Sequence, residues 1–128
     1  WAFKKDTNDT RESAAIYVAD MLIEEQAIIK VYDPKVSQTQ MLHDLDYLNT
    51  RPEKDNETYL QNQNDPYKAL EGAHAVAVLT EWDEFKSYNW QAIYDAMQKP
   101  AFVFDGRNIL DKQKLEVIGF VYKAIGSL

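Results

Sequence analysis

Short apolar runs of strand length alternate with amphipathic helical segments along the whole chain, and this alternation limits the fold more than any other feature. Trp1-Ala2-Phe3 reads as the tail of a strand, followed by a polar loop over residues 4–9. Asp9 or Thr10 caps a helix over residues 10–26, with Glu12 three residues after Asp9 and Ala15, Val18, Ala19, Leu22, Ile23 and Gln26 on one face. Residues 28–32 read as a strand stopped by Asp33-Pro34, and residues 38–48 as a helix presenting Met41, Leu42, Leu45 and Leu48. Residues 51–56 carry no structural signal and are expected to be a surface loop, with a short strand at 58–61. Asp65-Pro66 opens a short helix over residues 65–71 that ends at Gly72. A strand at 75–79, a helix at 90–97 and a strand at 101–104 after Pro100 follow. Asp111 caps a last helix through Ile118, which Gly119 closes, and residues 120–125 form the final strand. Near-continuous apolar strands between amphipathic helices imply parallel strands covered on both faces. The expected class is α/β: one domain over residues 1–128, with an open, doubly wound, mostly parallel sheet of about five to six strands.

A length of 128 residues suits one domain, and 45% hydrophobic with 12% aromatic residues excludes disorder. The net charge of −7 repels phosphate backbones and anionic lipid, so nucleic acid and membranes are not expected partners. No apolar run approaches the roughly 18–20 residues of a membrane helix, and no secretory signal opens the chain. The absence of Cys excludes disulfides, a thiolate nucleophile and Cys-held metals; it fits a reducing compartment, and a cytoplasmic location is expected. Trp1 in place of Met reads as the start of a piece of a longer polypeptide.

Ligands of open α/β sheets bind outside the carboxyl ends of the strands. Those ends deliver Lys4-Lys5, Asp33, Thr80-Glu81-Trp82 and Asp105-Gly106-Arg107. Two turns bring cations, one of them beside a helix N-terminus, which together make a sensible phosphate site; a solvated loop and a plain Asp-Gly turn are the competing readings. Other constellations are weak. His43 and His74 are far apart and read as structural, so no metal site is expected, and Ser13 has no base at telling distance. Glu81 and Asp83 are as well placed to fix a turn as to act on a substrate, and Trp82 and Trp90 read as packing residues. There is no G-x-G-x-x-G segment and no P-loop. No catalytic residue is assigned.

The run Phe3-Lys4-Lys5-Asp6-Thr7-Asn8-Asp9-Thr10-Arg11-Glu12-Ser13 closely resembles the signature that opens the C-terminal domain of UDP-glucose 6-dehydrogenases, in the UDP-glucose/GDP-mannose dehydrogenase family. Tyr32-Asp33-Pro34-Lys35, Asp65-Pro66-Tyr67, the block from Leu79-Thr80-Glu81-Trp82 to Phe85, and Phe104-Asp105-Gly106-Arg107 match in order. Ile118-Gly119-Phe120 and Ile125-Gly126 close the likeness. Asn8 stands where the family commonly has Gly, a change that left-handed backbone geometry at Asn would accommodate.

The resemblance implies a Rossmann-like UDP-binding domain of an NAD-dependent enzyme that oxidises UDP-glucose to UDP-glucuronate, cut just inside its first strand. It makes Phe3, Lys4 and Arg107 contacts to the UDP-sugar and turns Arg11 toward NAD. Lys5 and Asp33 stay unassigned, and Asp9, Thr10 and Glu12 keep a capping role. It places the catalytic Cys, with most of the NAD site, in earlier domains of a homo-oligomeric parent, so the piece alone is expected to be inactive. A dehydrogenase for another UDP- or GDP-sugar is the near alternative. A non-enzymatic receiver-like module using Asp33 and Thr80 is the distant one.

Overall fold

The computed structural model describes residues 1–11 and 13–124, which divide into two compact units between residues 69 and 70. The first unit contains helix α1 (Ala14–Glu24), strand β1 (Ile29–Val31), helix α2 (Gln38–Tyr47), helix α3 (Glu53–Tyr59) and strand β2 (Leu60–Asn62). Helix α4 (Pro66–Leu70) runs across the division between residues 69 and 70. Strands β1 and β2 pair in parallel, Ile29 opposite Leu60 and Val31 opposite Asn62. Gln38 bonds along β2: its Nε2 donates to Leu60 O at 3.4 Å, and its Oε1 accepts from Asn62 N at 2.7 Å.

Helix α1 starts later than the sequence suggests. Ser13, with extended backbone, is the N-cap, and its Oγ accepts from Ala15 N at 3.3 Å. Asp9 and Thr10 do not cap, because the polar residues before Ser13 bond within their own loop: Thr7 Oγ1 accepts from Asp9 N, and Asp9 Oδ1 accepts from Arg11 N. Glu12 lies outside the described residues. The helix buries Ala15, Ile16, Ala19 and Ile23 and turns Tyr17, Met21 and Leu22 outward. Asn8 is not left-handed; Asp6 is, with φ 61°.

Residues 51–56 are not a loop. Pro52 is the N-cap of α3, and Glu53 and Asp55 in its first turn suit the positive end of the helix. The one buried position of this helix is Asn56, so apolar periodicity could not reveal it. Arg51 Nη1 donates to Asn56 Oδ1 and Asn56 Nδ2 to Asp46 Oδ1, each at 2.8 Å. Arg51 Nη2 also meets Asp20 at 2.8 Å, which ties α1, α2 and α3 by polar contacts.

The second unit contains strand β3 (Ala75–Val78), a 3-10 turn (Asp83–Ser87), helix α5 (Trp90–Ala96), strand β4 (Phe102–Asp105), helix α6 (Lys112–Ile118) and strand β5 (Val121–Ala124). Its sheet is parallel in the order β3-β4-β5, with Val76, Val103 and Tyr122 in register. These side chains and Val78 form one core with Trp90, Ile93, Met97, Leu110, Leu115 and Phe120. Phe120 is met edge-on by Trp90 at 5.9 Å and by Tyr94 at 5.1 Å. Asp111 caps α6 by accepting from Lys114 N, as its position suggests.

Two expectations about the sheet need correction. The five described strands are divided between a two-stranded and a three-stranded sheet, so neither reaches the five to six strands expected in one sheet. Residues 1–3 are not strand: Trp1 N and Ala2 N donate to the Asp33 carboxylate, and Phe3 N to Asp9 O at 2.7 Å. Side chains of the β3-β4-β5 sheet alternate in exposure. Ala75, Ala77, Phe104, Val121 and Lys123 are exposed, while Val76, Val78, Val103 and Tyr122 are buried. The run Ala-Val-Ala-Val hides this alternation, because both its residue types count as apolar. Ile125 of the expected last strand lies outside the described residues.

Gly119 ends α6 at φ 130°, and a Cβ there would stand 2.6 Å from Tyr94 Oη and 2.7 Å from Tyr94 Cζ. Gly72 also has positive φ, 73°, but its Cβ would meet nothing within 4 Å. Gly119→Ala should therefore cost about 2 kcal/mol or more in urea unfolding, combining backbone strain and a clash, and Gly72→Ala about 1 kcal/mol. Equal losses would contradict the part given to Tyr94.

Candidate functional site

Phe3, Lys4 and Arg11 share the loop that enters α1, all of them exposed. The loop is closed by the Phe3 N to Asp9 O bond and pinned beneath by Asp33, which is 7% exposed. Asp33 Oδ2 accepts from Trp1 N and Ala2 N, both at 2.9 Å. Its Oδ1 accepts from Lys35 N at 2.8 Å and Val36 N at 3.2 Å. Burial opposes ionisation of the Asp33 carboxyl, and the N–H groups of Ala2 and Lys35 favour it. Both oxygens of Asp33 thus serve the main chain, which leaves no exposed phosphoacceptor of the receiver kind.

Arg11 grips Asp9 in a fork: Nε lies 3.0 and 3.2 Å from the two carboxylate oxygens, and Nη2 lies 2.7 Å from Oδ2. Hydrogen bonds from the Arg11 side chain and main chain bring Asp9 down to about 2, with a smaller contribution from the charge of Lys4. Lys5 is exposed on the same loop.

Arg107 belongs to the second unit, in the turn after β4. It is exposed, and its Nε donates to Leu79 O at 3.1 Å, just past the end of β3. The turn follows Gly106, whose N–H donates to Val78 O at 2.8 Å. Asp105, 1% exposed, accepts from Arg107 N through Oδ1 at 3.1 Å. Its Oδ2 accepts from Ile109 N at 2.9 Å, Leu110 N at 2.8 Å and Tyr122 Oη at 2.9 Å. Burial, with the bond to Asp105, pushes the Tyr122 hydroxyl up to about 12.

Each unit therefore offers a cationic segment, the loop entering α1 in the first and the turn after β4 in the second. Lys4 offers a point charge and Arg107 a planar fork, each of a kind that can hold an anion. Trp82 and Trp90 are buried, as packing residues should be, and Trp90 Nε1 donates to Phe85 O at 3.0 Å. His43 and His74 are exposed, and among the described residues no three His, Asp or Glu side chains cluster to hold a metal. Asp105 and Tyr122 were not singled out as a pair by sequence. Seventeen residues separate them, and only the parallel pairing of β4 with β5 brings them together.

Residues 1–112 match the model of the UDP-glucose/GDP-mannose dehydrogenase family, UDP binding domain. The chain belongs to this family. Relatives include the UDP-glucose 6-dehydrogenase of Caenorhabditis elegans, 52% identical over 99% of this chain and 26% of its own length. The UDP-glucose 6-dehydrogenase of Drosophila melanogaster is 47% identical over 98% of this chain and 27% of its own length. The chain thus spans about a quarter of these curated relatives. Among solved structures, an NDP-N-acetyl-D-galactosaminuronic acid dehydrogenase from Methanosarcina mazei Go1 superposes with a TM-score of 0.75. That match covers 98% of this chain and 23% of the other at 24% identity, and it speaks for the α/β fold alone.

Two titrations check the electrostatics of these turns. The Asp9 carboxyl should titrate at about 2 by NMR and return toward 3.8 in Arg11→Ala. Tyr122 keeps its proton in the folded state above pH 10, where an unfolded tyrosine loses its own. Its contribution to stability is full below about pH 10 and is lost as pH rises toward about 12. Tyr122→Phe should flatten this alkaline slope, and an unchanged slope would contradict the assignment.

Proposed function

We propose that the chain is the C-terminal nucleotide-sugar-binding domain of an NAD-dependent dehydrogenase that oxidises the C6 alcohol of UDP-glucose to the carboxylate of UDP-glucuronate. The observation that carries this reading is the 52% and 47% identity to two UDP-glucose 6-dehydrogenases over nearly the whole chain. In this reading Lys4 and Arg107 neutralise the diphosphate, Phe3 lies against the nucleotide-sugar and Arg11 faces NAD. The exposed, cationic character of Lys4, Arg11 and Arg107 supports those roles. Arg11 would exchange its bond to Asp9 for the cofactor or keep Asp9 as a partner while binding it.

The oxidation removes four electrons as two hydrides, so a turnover consumes two NAD and one water. The chain has no Cys to act as a nucleophile and no glycine-rich dinucleotide segment, so its part is to bind and orient the UDP-sugar. The catalytic Cys and most of the NAD site would come from the remainder of a longer polypeptide. This piece alone would not turn over substrate. No helix among the described residues is long and apolar enough to cross a membrane. We place the parent enzyme in the cytoplasm as a homo-oligomer, without nucleic acid or membrane partners.

The full-length enzyme carrying this chain should form NADH with UDP-glucose and not with GDP-mannose. Activity with GDP-mannose would keep the hydride chemistry and overturn the substrate. In that enzyme Lys4→Ala and Arg107→Ala should each weaken UDP-sugar binding by about 1–3 kcal/mol, the scale of a hydrogen bond to a charged group. An unchanged Michaelis constant in both variants would remove these residues from the site.

A further inference from the structure

We propose that Asp105 is a positioning residue for Arg107, holding the turn after β4 so that the guanidinium is set in place before the UDP-sugar arrives. This rests on the reading that Arg107 binds the UDP-sugar.

The carboxylate sits at the end of β4 with 1% exposure, where an ionised group is costly unless fully hydrogen-bonded. It accepts from four donors, and three of them are main-chain N–H groups of a single turn, at residues 107, 109 and 110. An amide side chain of the same shape has one acceptor oxygen and would face donors with its NH2 group, so a carboxylate is the group that can gather all four. The turn is thus curled around Asp105. The fourth donor, Tyr122 Oη, fixes the carboxylate from the neighbouring strand β5.

Arg107 is consequently held at two points. Asp105 fixes its main-chain nitrogen, and Leu79 O takes its Nε–H at 3.1 Å. An exposed arginine otherwise samples many rotamers and must be ordered when it binds. Restraint at both ends removes part of that ordering cost. The benefit falls on binding and leaves the hydride-transfer step alone, which distinguishes positioning from a role in the reaction.

The test is a double-mutant cycle in the full-length enzyme, with the Michaelis constant for UDP-glucose, kcat and the calorimetric Kd of UDP as readouts. Asp105→Asn should raise the Michaelis constant and the UDP Kd about tenfold with kcat changed less than about twofold. Arg107→Ala should raise them by about tenfold or more, and Asp105→Asn should add almost nothing in the Arg107→Ala background. Tyr122→Phe, which removes one donor of four, should give a smaller shift of about threefold that also vanishes without Arg107. This variant carries the cycle if Asp105→Asn does not fold. The inference is overturned if Arg107→Ala weakens binding while the Asp105 and Tyr122 variants do not, or if their effects persist in full without Arg107. An unaltered Kd in Arg107→Ala would instead overturn the functional reading on which it rests.

Discussion

A buried carboxylate at a strand end, satisfied almost entirely by main-chain N–H groups, is the interaction on which the candidate site depends in both units. Asp33 and Asp105 each accept four hydrogen bonds and each stand just past or at the last residue of a parallel strand. The chain leaves a sheet with several N–H groups unpaired, and a buried donor without a partner costs about 1–3 kcal/mol. One aspartate can settle several such debts at once, and in doing so it dictates the path of the turn. Arg107 is carried on the turn that Asp105 organises, and Asp33 pins the loop with Lys4 through the main chain of residues 1 and 2.

The remaining architecture serves that arrangement. In the second unit the strand order follows the chain order, and Trp90, Ile93, Leu115 and Phe120 seal one face of the sheet. This packing sets β4 beside β5 with Asp105 opposite Ala124, so that Tyr122 two residues earlier can reach the carboxylate. In the first unit Arg51, Asn56, Asp46 and Asp20 join three helices by polar contacts, where a wholly apolar interface would be the more usual device.

Much of this was legible in the residues because the signals are local. Asp111 before an amphipathic run and Gly119 after it mark a helix within eight residues, and both behave accordingly. Arg107 was placed past a strand for a similar reason, since the α/β pattern says which ends of the strands matter, whereas Lys4 follows no strand among the described residues. Features that depend on distant partners were not legible. Helix α3 has Asn56 at its buried position, and only Arg51 and Asp46 make that burial tolerable. The true cap of α1 is Ser13 because the earlier polar residues are engaged with one another, a competition that no spacing rule resolves. Asp105 could be read as a turn former, whereas its convergence of donors from residues 107 to 122 exists only in the folded sheet.

Because Asp105 grips the turn through backbone nitrogens at Arg107, Ile109 and Leu110, the shape of the turn is indifferent to most side chains it displays. Asn108 contributes none of these donors and stands at φ 56°, a backbone state open to few residue types besides Asn and Gly. The path of the segment can thus be inherited unchanged, provided that position 108 keeps a residue that tolerates positive φ, that Ile109 and Leu110 keep their packing and that no proline enters at a donating position. A single acidic residue in this way separates the geometry of the site from the identity of the groups it presents.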